Sequence, residues 1–123
     1  MFSFLKRLFG WDDNREVRDL ALLALRFQTD LAGAAHAPPE ALLGLLRNTD
    51  ALRRGERFAE LLGAFQLAGA GAASTQAAQR LRRALEAAGA IDAGGVARAA
   101  GSPAEIPARI EAARLEAVRA ALG

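Results

Sequence analysis

The sequence has no cysteine and no tyrosine, and it holds one histidine, one tryptophan and four prolines in 123 residues. Without cysteine there is no disulfide, no thiolate zinc cluster and no thiol nucleophile, and a reducing, cytoplasmic compartment is the expectation. His36 stands between an alanine run and Pro38–Pro39, with no second histidine or cysteine to complete a metal site, and reads as exposed polar surface. The pair Asp12–Asp13 reads as a helix N-terminus. Ser3, Ser74 and Ser102 have no neighbouring histidine, and none lies in a nucleophile elbow. No phosphate-binding P-loop and no dinucleotide-binding glycine motif occurs. The chain therefore offers no catalytic residues, metal ligands, cofactor or small-molecule site, and a non-enzymatic role is expected. No apolar run approaches the roughly 20 residues of a membrane span. The opening "MFSFLKRLFGW" lacks the layout of a signal peptide, because Lys6 and Arg7 lie inside its apolar run.

β-Branched residues are few, while Ala, Leu, Arg and Glu dominate, which predicts an all-α fold. The expected architecture is a single-domain bundle of about six short helices behind an amphipathic N-terminal helix. That first helix covers 1–11, the first half of the bundle 12–67, a Gly/Ala linker 68–75, and the second half 76–123. Within the first half, Val17, Leu20, Leu23, Ala24, Phe27 and Leu31 fall on one face of a helix reaching Ala32. Pro38 and Pro39 restart a helix whose apolar face is Ala41, Leu42, Leu45 and Leu46, ending at Asn48–Thr49. Asp50 is placed to cap the next helix, roughly Gly55 to Leu67, with Phe58, Leu61, Leu62 and Phe65 inward. Ser74 or Thr75 caps a helix over Gln76–Ala88, a short helix follows over Gly94–Ala100, and Ser102–Glu105 forms a capping box for the last one.

The net charge is only +2, yet the isoelectric point is 10.3. Of sixteen basic residues Lys6 alone is lysine, so fifteen are arginine. A chain this close to neutral is no polycation, and any grip on nucleic acid has to come from local clusters. Arg53, Arg54 and Arg57 crowd one turn in "DALRRGERFAELLGAF"; Arg80, Arg82 and Arg83 share a helix; Arg109, Arg114 and Arg119 step along the last one. Guanidinium forks suit phosphates. The competing reading is a solvated helix face balanced by Glu56, Glu60, Glu86, Glu111 and Glu116. No aromatic residue interleaves with these arginines, so a base-stacking platform is not expected. At the N-terminus, Phe2, Phe4, Phe9 and Trp11 with Lys6 and Arg7 suit either a membrane surface, a partner, or packing onto the bundle.

Four segments in order, "NREVRDLALLALRFQTDL", "PEALLGLLRNTDALRRGERFAELLGAF", "RLRRALEAAGAID" and "GSPAEIPARIEAARLEAVRAAL", resemble a known family. They are similar to the C-terminal helical region of proteobacterial CCA-adding tRNA nucleotidyltransferases, the type that also carries an HD phosphohydrolase domain. The resemblance implies a helical module that helps hold tRNA, with Arg53, Arg54, Arg57, Arg80, Arg82, Arg83 and Arg114 as candidates for RNA-backbone contact. It also implies no nucleotide addition, since the head's carboxylate motif and the HD pair are absent from this sequence. Where the family carries a charged run after the second helix, this chain has the uncharged "QLAGAGAAST". That departure supports an alternative: a protein-interaction or self-associating module released from RNA binding, with weak membrane-surface contact through residues 1–11.

Overall fold

In a computed structural model, residues 14–69 and 72–123 are described, with side chains from 18–67 and 73–123. The expectations for residues 1–11, for Asp12–Asp13 and for the Val17 side chain lie outside these. Every regular element among the described residues is helical: α1 (Asn14–Arg26), α2 (Gln28–Gly33), α3 (Pro39–Asn48), α4 (Gly55–Gly69), α5 (Ala72–Gly89), α6 (Ala93–Ala99), a 3₁₀ turn (Pro103–Glu105) and α7 (Ile106–Leu122). The helix expected to run unbroken to Ala32 divides at Phe27, whose φ of −102° and ψ of 12° leave the helical well. Hydrogen bonds still bridge the break, from Phe27 N to Leu23 O and from Leu31 N to Phe27 O. The guanidinium of Arg26 stacks 5.2 Å from the Phe27 ring centre, which leaves the ring buried and its neighbour in solvent. Leu20, Phe27 and Leu31 are buried, with Leu23 and Ala24 packed against them, as the spacing predicts.

Proline shapes the starts of α3 and α7. Pro38 is extended, at φ −69° and ψ 162°, and Pro39 opens α3 where its missing N–H would have had no partner. The inward face of α3 is wider than its spacing predicts: Leu43 is buried beside Leu42, Leu45 and Leu46, while Ala41 is exposed. The reason is that α3 packs against both α5 and α7, so two flanks of the helix are covered. At the last helix, Ser102 makes no side-chain cap bond. The carboxylate of Glu105 reaches instead to the Gly101 N–H at 3.0 Å, and the chain passes through a 3₁₀ turn before α7 begins with Pro107 in its first turn.

The Gly/Ala segment is narrower as a break than expected. Ala68 and Gly69 still belong to α4, and Ala72 to Thr75 already belong to α5, so Ser74 lies inside a helix, buried, rather than at its cap. Alanine is the strongest helix former, and it outweighs the scattered glycines here.

The core is organised on α5, which packs against α2, α3, α4 and α7. Its buried apolar residues are Ala77, Ala78, Leu81, Ala84 and Ala88, a face with one large side chain. Around it lie Leu31 from α2, Leu42 and Leu46 from α3, Phe58, Leu61 and Leu62 from α4, and Val118 from α7. Polar side chains of α5 hold the α2–α3 connection. Arg80 Nη1 donates to the carbonyls of Ala34 and Ala37, each at 2.8 Å, and Gln76 makes a longer 3.5 Å contact with the Ala35 carbonyl. Those carbonyls follow the end of α2 and have no helical partner, so a guanidinium is the natural donor for them.

Helices α3 and α7 are joined by ion pairs at both ends: Glu40 with Arg119, and Arg47 with Glu111 at 2.7 Å. The early residue of α3 meets the late residue of α7, so the two run antiparallel. The Glu40 carboxylate is held below the ordinary glutamate range, first by a backbone N–H at the start of α3 and then by Arg119.

Two predictions follow from these contacts. Replacing Arg80 by Ala leaves the Ala34 and Ala37 carbonyls short of a donor, so urea unfolding should show a loss of about 1–3 kcal/mol with an unchanged m-value. For Glu40, the depressed folded pKa means that its stabilisation is present above the unfolded value and is lost as pH falls through the folded one. A carbon-detected NMR titration should find its midpoint below that of a free glutamate. Arg119→Ala should raise it only part of the way, because the backbone hydrogen bond is the larger cause; a full return to the free value would contradict this.

Candidate functional site

The charged turn after α3 is built on a Schellman closure. Asp50 N–H donates to the Arg47 carbonyl at 3.1 Å and Ala51 N–H to the Leu46 carbonyl at 2.9 Å, while Asp50 takes a φ of +58°. Thr49, at the C-cap, turns its hydroxyl back onto the carbonyls of Leu45 and Leu46, at 2.9 and 3.2 Å. Leu46 and Ala51 are both fully buried, which is the apolar contact that this closure favours. Asp50 thus ends the helix before it rather than capping the one after it, correcting the expectation from sequence. Aspartate is one of the few side chains that tolerates the left-handed region. Its carbonyl accepts from Arg54 N–H at 2.9 Å, and its carboxylate pairs with Arg53 at 2.9 Å.

Beside this turn lies an open cleft of about 350 Å³, lined by Leu46, Arg47, Asp50, Leu52, Arg53 and Arg114. Three arginines line it: Arg47 from the last turn of α3, Arg53 from the turn six residues on, and Arg114 from α7. Arg47 is bound to Glu111 and Arg53 to Asp50. Arg114 is half-buried, and its Nε is enclosed without an acceptor among the described residues. Leaving a buried donor unpaired costs roughly 1–3 kcal/mol, more when it is charged, so the position of Arg114 is an expensive one for packing alone.

Of the arginines predicted for RNA contact, Arg53 and Arg114 come together in this cleft. Arg54 and Arg57 do not line it. The second group divides: Arg80 bonds the α2–α3 carbonyls, Arg82 bonds the Gln66 side chain at 2.7 Å, and Arg83 is exposed. In the third, Arg109 pairs with Glu105 and Arg119 with Glu40. Arg47 was not among the predicted residues. Its signal was present in "RNTD", a basic residue in the last turn of a helix one turn before the aspartate. Phe2, Phe4, Lys6, Arg7, Phe9 and Trp11 lie outside the described residues. Among the described residues no helix is long and apolar enough to cross a membrane.

The turn sets where Arg53 points, so its backbone is testable. Asp50→Gly should keep or raise the melting temperature, since glycine enters the left-handed region freely and the lost ion pair is exposed and worth at most about 1 kcal/mol. Asp50→Val should lower stability by about 1–3 kcal/mol, since a β-branched residue is strained there. Equal effects of the two, read by thermal unfolding, would show that the closure carries no strain.

No family profile and no solved structure matches the chain. Curated proteins do. The chain is 41% identical over 114 residues to the multifunctional CCA protein of Burkholderia mallei and equally to that of Burkholderia pseudomallei, covering 88% of this chain. It is 42% identical over 113 residues, 87% of its length, to the multifunctional CCA protein of Burkholderia multivorans. It spans only 27–28% of the length of these relatives. Over most of its length, then, the chain matches one partial region of the multifunctional CCA proteins.

Proposed function

We propose that the chain is a non-catalytic helical module that contacts the backbone of tRNA, as the tail of a CCA-adding enzyme would, and adds no nucleotides itself. The observation that carries this reading is the cleft in which Arg47, Arg53 and Arg114 converge with a donor of Arg114 unpaired. The similarity to multifunctional CCA proteins over 88% of the chain supports the same direction, and the 28% share of their length fits a piece without the catalytic head. Contact would be to phosphates rather than bases: the cleft offers donors and apolar walls, with no aromatic side chain to stack on.

A second reading, a protein-docking module, rests on three leucines left in solvent: Leu22 at 62%, Leu25 at 72% and Leu67 at 80% exposure. Leu22 and Leu25 lie three apart on α1, on one side of the helix.

Fluorescence anisotropy of labelled tRNA lacking its CCA end, at about 50 and 200 mM salt, separates the two readings. Two to three phosphate contacts should weaken binding roughly 7- to 40-fold between these concentrations. Arg53→Ala with Arg114→Ala should abolish most of that affinity, while Arg54→Ala with Arg57→Ala should cost much less. No binding at either salt would sink the RNA reading. A concentration-dependent mass in light scattering, lost on Leu22→Ser with Leu25→Ser, would then favour the docking module.

A further inference from the structure

We infer that the Arg47–Arg53–Arg114 cleft is a site for a phosphate dianion, the terminal phosphomonoester of an RNA chain in preference to an internal linkage. This rests on the RNA reading above and names which phosphate of the RNA the cleft takes.

Charge is the first argument. Three arginines and one carboxylate, that of Asp50, line the cleft, and Leu46 and Leu52 complete its wall. Two positive charges are therefore in excess on the surface that a ligand meets. Glu111, which holds Arg47 at 2.7 Å, does not line the cleft. A terminal phosphate carries about −1.5 to −2 at neutral pH, whereas an internal diester carries a single negative charge. Coulomb attraction scales with the product of the charges, so this lining draws the dianion more strongly than the monoanion.

The number of free oxygens is the second. A monoester presents three unesterified oxygens and a diester two. The three guanidiniums come from three places, the last turn of α3, the turn after it and α7, so they meet a phosphate from different sides instead of following a strand. Arg114 is half-buried and has no ion pair among the described residues. Its Nε is enclosed, so a ligand meets the terminal nitrogens of its guanidinium. Arg47 and Arg53 are held by exposed pairs with Glu111 and Asp50, and exposed pairs bind their arginines weakly. Both are therefore available to an incoming phosphate. A terminal phosphate carries a sugar on one side only, and the apolar wall of Leu46 and Leu52 has one sugar to accommodate.

The test uses tRNA lacking its CCA end and labelled at its 3′ end, with the 5′ phosphate either kept or removed by phosphatase. Anisotropy titrations with the full chain at pH 7.5 and matched ionic strength should show about tenfold tighter binding of the phosphorylated form, the gain from added charge-assisted contacts. Arg53→Gln with Arg114→Gln should bring the two RNAs to the same affinity, while Arg54→Gln, outside the cleft, should preserve the difference. A second measurement needs neither RNA nor variant. The backbone amide signals of residues 47–54 in the ¹⁵N-labelled chain should shift at a lower concentration of inorganic phosphate than of dimethyl phosphate. Equal affinity of the wild type for the two RNAs would overturn the inference and leave the RNA reading standing. Amide shifts no stronger with inorganic phosphate than with dimethyl phosphate would overturn it as well. If the amides answer inorganic phosphate first and neither RNA binds, the dianion site stands with free phosphate as its source, and the RNA reading falls.

Discussion

Everything in this bundle depends on how thin α5 is. Its core face is alanine at positions 77, 78, 84 and 88, with Leu81 the only large buried residue among them. A helix with so little side chain on its inner face lets neighbours come near the short end of the usual 8–10 Å spacing. Four helices use that room, α2, α3, α4 and α7. One larger residue at those alanines would force side chains out of their rotamers, at roughly 1–3 kcal/mol. Because α3 and α7 both lie on α5, they lie against each other, and the ion pairs Glu40–Arg119 and Arg47–Glu111 are drawn along their shared edge. The cleft is the gap left where that edge meets the turn after α3.

Helix type and inward faces were legible in the sequence because helical periodicity is a local signal. Phe58, Leu61, Leu62 and Phe65 were read correctly, and so were Leu20, Leu23, Ala24, Phe27 and Leu31. The misreadings share a cause. Ala41 was placed inward and Leu43 was not named on the inward face, whereas α3 is covered on two sides. The Gly/Ala segment was read as a linker by composition, and alanine propensity carried helix into it from both ends. Asp50 was read as an N-cap because aspartate favours that position. Its second preference, the left-handed helix end, prevails here because Ala51 and Leu46 must both enter the core within a few residues of chain.

The site was legible only in part, and the reason is different. Runs of arginine in sequence mark where charge is dense along the chain, not where it converges in space. On α5, Arg80 turns to the α2–α3 carbonyls and Arg82 to Gln66, while Arg83 stays exposed. The cleft instead draws one arginine from each of three places, and a sequence read segment by segment has no view of that meeting. Arg53 and Arg114 were both named, in separate clusters, and the structure puts them on one cleft. Arg47 escaped notice because a basic residue in the last turn of a helix already has an ordinary explanation in the helix dipole.

A net charge of +2 suggests a surface with little to offer an anion. The pairing pattern argues otherwise. The ion pairs among the described residues are exposed, and an exposed pair contributes about 0–1 kcal/mol to stability. Such a pair holds its arginine in place without binding it tightly. A phosphate offers the same arginine comparable geometry with an added oxygen, and in the cleft it also meets Arg114, which no carboxylate among the described residues satisfies. On the RNA-backbone reading proposed above, exchange of a carboxylate for a phosphate is close to balanced at Arg47. A near-neutral composition is compatible with that reading, because the carboxylates that balance the charge also keep the arginines positioned.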